Sequence, residues 1–275
     1  MPGAGARCRA AARWRCAGRR GGDAVGAPTA GRVDLAGIDV VILDKDGTLL
    51  DFDALWGGWA RQLGDRLEAA ARRPVAPDVF ATIGFDPASG QVAPGGPLAG
   101  ATMAQIRSIV ETVLRRWCPS VAAARRATET AWFVPDPTAA TPAGDVRAVV
   151  ARLREAGIRI AVATTDDREP TEATLRAFGI RGAVEAMVCG DDGFALKPQP
   201  DAVFAVCQAF RSEPARCAVV GDTPTDMAMG RAAGAGLVVG VLTGVGGPQD
   251  LADADVIVDS IDALDPAPRP ARPGA

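Results

Sequence analysis

The apolar run Val40-Val41-Ile42-Leu43, with Ile38 just before it, leads directly into Asp44-Lys45-Asp46-Gly47-Thr48-Leu49-Leu50, and this junction limits the possible folds more than any other stretch. A continuous β-branched run predicts a strand buried on both faces, as in a parallel sheet. Sheets of that kind hold their ligands at the carboxyl edge. Alternation along an extended segment points Asp44 and Asp46 to one side and Lys45 to the other. Adjacent carboxylates repel unless a proton or a cation lies between them. The pair therefore reads as a metal site or as a nucleophile beside a proton donor. An ordinary Asp-Gly turn is the plainer alternative.

The chain after this junction divides in two. Leu55, Trp56, Trp59, Leu63 and Leu67 recur at helical spacing over 53–72, with Pro74 and Pro77 as stops. A Gly/Pro-rich stretch covers 84–100. Met103, Ile106, Val110, Val113 and Trp117 mark a second amphipathic helix, and an Ala-rich helix is expected over 120–133. The tryptophans read as core rather than as a ligand box. From 141 onward the pattern becomes βα repeats. Thr141-Pro142 is expected to open a helix that stops at Gly157. Strands are expected at 158–163, 186–189, 217–221, 237–241 and 256–258, with helices at 170–178, at 200–210 and from the 222–226 segment to Ala233. This alternation predicts an α/β fold with a doubly wound parallel sheet.

Composition removes several chemistries. The chain has no histidine, so acid–base or nucleophilic work falls to carboxylates, lysine, cysteine or hydroxyls. Six cysteines (Cys8, Cys16, Cys118, Cys189, Cys207, Cys217) show no CxxC spacing, so buried thiols in a reducing cytoplasm are expected. Residues 1–32 hold seven arginines and one aspartate. The remainder then has 23 basic against 32 acidic residues, a net charge of −9. That acidity argues against a nucleic-acid surface, and no apolar run is long enough for a membrane helix. The Arg/Gly/Ala-rich residues 1–32 are expected to be a disordered extension, and the Pro-rich residues 265–275 a loose tail.

Four polar segments then fall at strand ends or in the loops that follow strands: Asp44/Asp46, Thr164/Thr165, Lys197 before Pro198, and Asp222-Thr223-Pro224-Thr225-Asp226. Each has an unremarkable reading as a turn, a cap or a solvated charge. Together they make chemical sense. Asp44, Asp46 and Asp222 offer hard oxygens to a Mg²⁺ ion. Lys197 and the threonine hydroxyls, with backbone N–H groups around Gly47, can meet phosphoryl oxygens.

In order and separation these segments resemble the four motifs of the haloacid dehalogenase superfamily, over roughly residues 38–260. The stretch from Cys189 to Pro200 is similar to a loop of its phosphoglycolate phosphatase-like members. The resemblance implies a Rossmann-like core from 33–52 and 138–264, with 53–137 as an inserted α-helical cap. It implies a Mg²⁺-dependent phosphatase for a small phosphate monoester, with phosphomutase or non-catalytic phosphate binding as alternatives. Asp44 would be the nucleophile and Asp46 the general acid and base. Thr164, Thr165, Lys197 and Gly47 would hold the phosphoryl group. Asp44, Asp46 (through its carbonyl) and Asp222 would hold the metal, with Asp226 in support. Dehalogenases of the superfamily expel halide, which needs no proton; an alkoxide does need one, so Asp46 favours ester hydrolysis. Lys45 departs from the superfamily's commoner aromatic or apolar residue and is expected to point away from substrate. An EF-hand is excluded because Leu49 and Leu55 stand where its glycine and glutamate belong. A P-loop is excluded because no GxxxxGK[ST] occurs.

Overall fold

A computed structural model describes residues 31–266. Six strands, β1 (Val40–Leu43), β2 (Arg159–Ala163), β3 (Val184–Val188), β4 (Cys217–Gly221), β5 (Leu237–Val241) and β6 (Val256–Val258), form one parallel sheet in the order β3-β2-β1-β4-β5-β6. All four residues of β1 are fully buried. Val41 and Leu43 enter one apolar cluster, Val40 and Ile42 the other, as the twofold alternation of a strand requires.

Of the six helices between β1 and β2, the first five are α1 (Gly58–Ala71), α2 (Ala76–Ile83), α3 (Pro97–Gly100), α4 (Met103–Leu114) and α5 (Val121–Ala131). They build an apolar cluster of their own around Trp59, Leu63, Leu67, Val79, Ile106 and Val110. A π-helical turn over Asp53–Gly57 precedes α1. Beyond β1, α6 (Val146–Glu155) and α7 (Arg168–Ala177) cover one face of the sheet, while α8 (Asp201–Phe210) and α9 (Pro224–Ala233) cover the other.

Two expectations are corrected. Pro77 does not end a helix; it sits in the first turn of α2, where a missing N–H costs nothing. Thr141-Pro142 does not open a helix either. Pro142 forms a bridge with Leu50, and α6 starts four residues later, with Asp145 Oδ1 accepting from the Ala148 N–H at 3.0 Å. Both positions carried a valid start signal, and tertiary pairing selected the second. Cys189, Cys207 and Cys217 are buried free thiols, as expected, while Cys118 is half-buried. The readings placed on residues 1–30 and 267–275, with Cys8 and Cys16, lie outside the described residues. Among the described residues no helix is long and apolar enough to cross a membrane.

Candidate active site

In this strand order the chain leaves β1 on one side and returns to β4 on the other, so the crevice opens between their carboxyl ends. Each strand delivers an aspartate there: Asp44 directly after Leu43, and Asp222 directly after Gly221. The Asp44 N–H donates to the Val220 carbonyl at 2.9 Å and ties the two ends together. One carboxylate oxygen from each of Asp44, Asp222 and Asp226 lies within 4.8 Å of the other two, and all three residues are buried.

Lys197, between β3 and α8, neutralises part of this cluster. Its ammonium donates to Asp44 Oδ1 at 2.5 Å and to Asp226 Oδ1 at 2.6 Å, with 7% of the lysine side chain exposed. Burial opposes the charge, but Asp226 and Asp44 outweigh it and hold the ammonium above the ordinary lysine range. Burial pushes the Asp44 carboxyl up to about 7; Asp226 and Asp46 add to the rise and Lys197 opposes it. Asp222 is raised well above the ordinary range, first by burial and then by Asp44 and Asp226. Its oxygens accept from Thr48 Oγ1 at 3.3 Å and from the Val245 N–H at 3.0 Å. Two buried carboxylates with raised pKa values and only one shared ammonium nearby suit a hard divalent cation such as Mg²⁺.

Asp226 serves two purposes. Its Oδ2 accepts from the Thr223 N–H at 3.1 Å and from Thr223 Oγ1 at 2.5 Å, completing a capping box at the start of α9, while Oδ1 holds Lys197. The cap and the functional readings of this motif are therefore not alternatives.

Asp44, Asp46, Thr165, Lys197 and Asp226 line one cleft under the helical layer. Two other expected phosphate contacts hold local hydrogen bonds. The Gly47 N–H donates to the Leu50 carbonyl at 2.9 Å. The residue matters for its shape. It has φ +81°, and a Cβ there would overlap the Asp222 carboxylate. Thr164 Oγ1 accepts from the Asp166 N–H at 3.1 Å, which leaves its own O–H to donate, and Thr165 stands on the cleft wall.

Lys45 is the residue that sequence reasoning undervalued. It is 1% exposed and does not line the cleft, as alternation required, but its ammonium backs two carboxylates that do. It lies 2.8 Å from both oxygens of Asp46 and 3.1 Å from Asp166 Oδ2. Burial opposes its charge, but Asp46 and Asp166 more than compensate and raise its pKa. From the helical layer, the Trp56 indole N–H donates to Asp46 Oδ1 at 2.7 Å. Asp46 is thus held by one partner from each layer. A signal for Lys45 was present: the chain has two lysines, Lys45 and Lys197, against 28 arginines, and both ammoniums are at this site.

A family model for haloacid dehalogenase-like hydrolases matches residues 38–234. A plasmid-encoded phosphoglycolate phosphatase of Cupriavidus necator is 36% identical over 129 residues, which is 46% of this chain and 55% of that relative. A phosphoglycolate phosphatase of Rhodospirillum rubrum is 34% identical over 117 residues, 42% of this chain and 48% of the relative. The chain thus spans about half the length of these curated relatives. The crystal structure of a predicted phosphoglycolate phosphatase from Haemophilus somnus 129PT superposes with a TM-score of 0.56 at 19% identity, covering 82% of this chain and 95% of that one.

Proposed function

Because the chain belongs to the haloacid dehalogenase-like hydrolases, we propose that it is a phosphatase that hydrolyses small phosphate monoesters in the cleft where β1 and β4 end. The observation that carries this reading is the convergence of Asp44, Lys197 and Asp226 beside a second carboxylate, Asp46, that lines the same cleft. The helical layer over 53–131 acts as the cap that shields this cleft from water.

In the first half-reaction an Asp44 oxygen attacks phosphorus. The bond to the ester oxygen breaks, and Asp46 gives its proton to the departing alkoxide. In the second, Asp46 takes a proton from water, the hydroxide attacks the phosphoryl group on Asp44, and inorganic phosphate leaves with Asp44 restored. Lys197 offsets charge on the phosphoryl oxygens while keeping Asp44 aimed, and the Thr165 side of the cleft adds donors. Asp44 and Asp222 would hold a Mg²⁺ ion, with the Asp46 carbonyl as a further ligand and Asp226 supporting through Lys197. When bound, the ion supplies positive charge against which the phosphoryl group can be placed.

The names of the relatives make phosphoglycolate the first ester to assay. The test is release of inorganic phosphate by the full chain from a panel of phosphate monoesters, with and without Mg²⁺, and with a haloacid as control. Release that stops with EDTA and returns with Mg²⁺ is expected. Halide release without phosphate release, or no phosphate from any ester, would overturn the proposal. Transfer within one sugar phosphate, without free phosphate, would indicate a mutase instead.

A further inference from the structure

The helical layer's share of the cleft lining is apolar. Phe52 and Trp56 come from the segment entering the helical layer, Leu98 from α3, and Met103 and Ile106 from α4. All five side chains are buried. Among the described residues that line this cleft, Lys197 is the one cation, and its ammonium is already held by Asp44 and Asp226. Nearby cations are engaged too: Lys45 with Asp46 and Asp166, and Arg168 with Asp192 Oδ1 at 3.0 Å and Oδ2 at 2.5 Å. The Trp56 N–H is donated to Asp46. With Asp46 carrying the proton that it gives to the leaving group, Asp166 is matched by Lys45, so this wall has no cation left to pair with a second anion.

A leaving group seated beside Asp46 therefore meets hydrocarbon and no unpaired cation. Its first atoms gain from being apolar, whereas an anion there would be desolvated without a counter-charge. Ala101 also borders an open mouth lined by Ile109, Val113, Leu196 and the exposed Arg116. A carboxylate separated from the ester oxygen by one methylene, as in phosphoglycolate, would sit beside Asp46 and not at that mouth.

Resting on the phosphatase reading above, we propose that this cleft selects phosphate monoesters whose alcohol is uncharged next to the ester oxygen, and that it discriminates against short esters with a carboxylate there. The specificity is set by charge exclusion rather than by a dedicated recognition residue.

The test compares phosphoglycolate with its amide, which keeps the size and removes the charge, using the full chain with saturating Mg²⁺. The amide is expected to have a kcat/KM higher by about tenfold or more, with the difference mainly in KM. Propyl phosphate is expected to show a KM below that of phosphoglycolate. A second arm uses Ala101→Arg, which puts a cation on the half-buried wall where cleft and mouth meet; it is expected to narrow or reverse the amide preference. Circular dichroism reports whether the variant folds, and the wild-type comparison stands without it. Phosphoglycolate turned over as well as or better than its amide by the wild type overturns the inference and leaves the phosphatase reading intact. Absence of phosphate release from all three esters overturns both.

Discussion

The edge of the sheet and the helical layer above it share one cleft and are built by different means. At the edge, Asp44, Asp46, Asp166 and Asp226 are paired with Lys45 and Lys197 at 2.5–3.1 Å, so each carboxylate has a named cation beside it. In the layer, Trp59 packs edge-on against Trp56 and Trp132 at centroid distances of 5.6 Å, and the apolar cluster behind them fixes shape, not charge. Removing a partner at the edge strands a buried charge, which is costly. Trimming a side chain in the layer leaves neighbours that can partly close the gap. The edge should therefore govern whether the reaction occurs, and the layer which ester undergoes it.

The sharpest break between the two regions is expected at Asp44. Asp44→Asn keeps the shape of the side chain, and Lys197 retains Asp226, so the fold should persist while turnover falls by ~10⁴-fold or more. Steady-state phosphate release together with circular dichroism checks both halves; retained turnover would reject the nucleophile assignment. Lys197→Met comes next. It leaves Asp44 and Asp226 buried without their shared cation, so it should lower stability by about 3–5 kcal/mol as well as slow turnover. Urea unfolding at fixed Mg²⁺ reads the stability loss. An unchanged midpoint would mean that the pair is not held as tightly as its geometry indicates.

The same division governs what could be read from the sequence. The strand positions and the carboxylates at their ends were legible, because a buried parallel strand must be apolar throughout and must end where the polar residues begin. Residues 217–221, 237–241 and 256–258 match β4, β5 and β6 residue for residue. The helical layer was less legible. α2 was missed because Pro77 is compatible both with ending a helix and with starting one. At the site, Gly47 and Thr164 were assigned by position alone. Spacing could not foretell that the Gly47 N–H donates to Leu50 or that the Thr164 hydroxyl accepts from Asp166. Lys45 shows the limit of alternation most clearly. It stays off the cleft wall as the rule expects, yet a four-carbon stem carries its ammonium to Asp46 and Asp166.

Lys45→Met tests whether the edge aims Asp46. Both carboxylates stay in place but lose the cation behind them, so protonation of poor leaving groups should suffer first. A loss of ~10-fold to ~100-fold is expected with alkyl phosphates, and a smaller one with nitrophenyl phosphate, whose leaving group needs little help from an acid. Lys45→Arg is not expected to rescue, because the site is 1% exposed and a planar guanidinium cannot replace a compact ammonium there. An equal loss for both leaving groups would reduce Lys45 to a structural ion.

Trp56→Phe asks the same question from the opposite layer and should have the smallest effect. An aromatic ring is kept beside Phe52 and Trp59, while the indole's second ring and the N–H that reaches Asp46 at 2.7 Å are removed. Lys45 still grips both Asp46 oxygens, so alkyl phosphate turnover is expected to fall by about 3-fold to 10-fold, with stability changed by less than about 1.5 kcal/mol. The comparison with Lys45→Met is the informative one. A larger loss from the tryptophan would place the aiming of Asp46 in the helical layer, and the contrast between a charged edge that performs the reaction and an apolar layer that selects the ester would no longer hold.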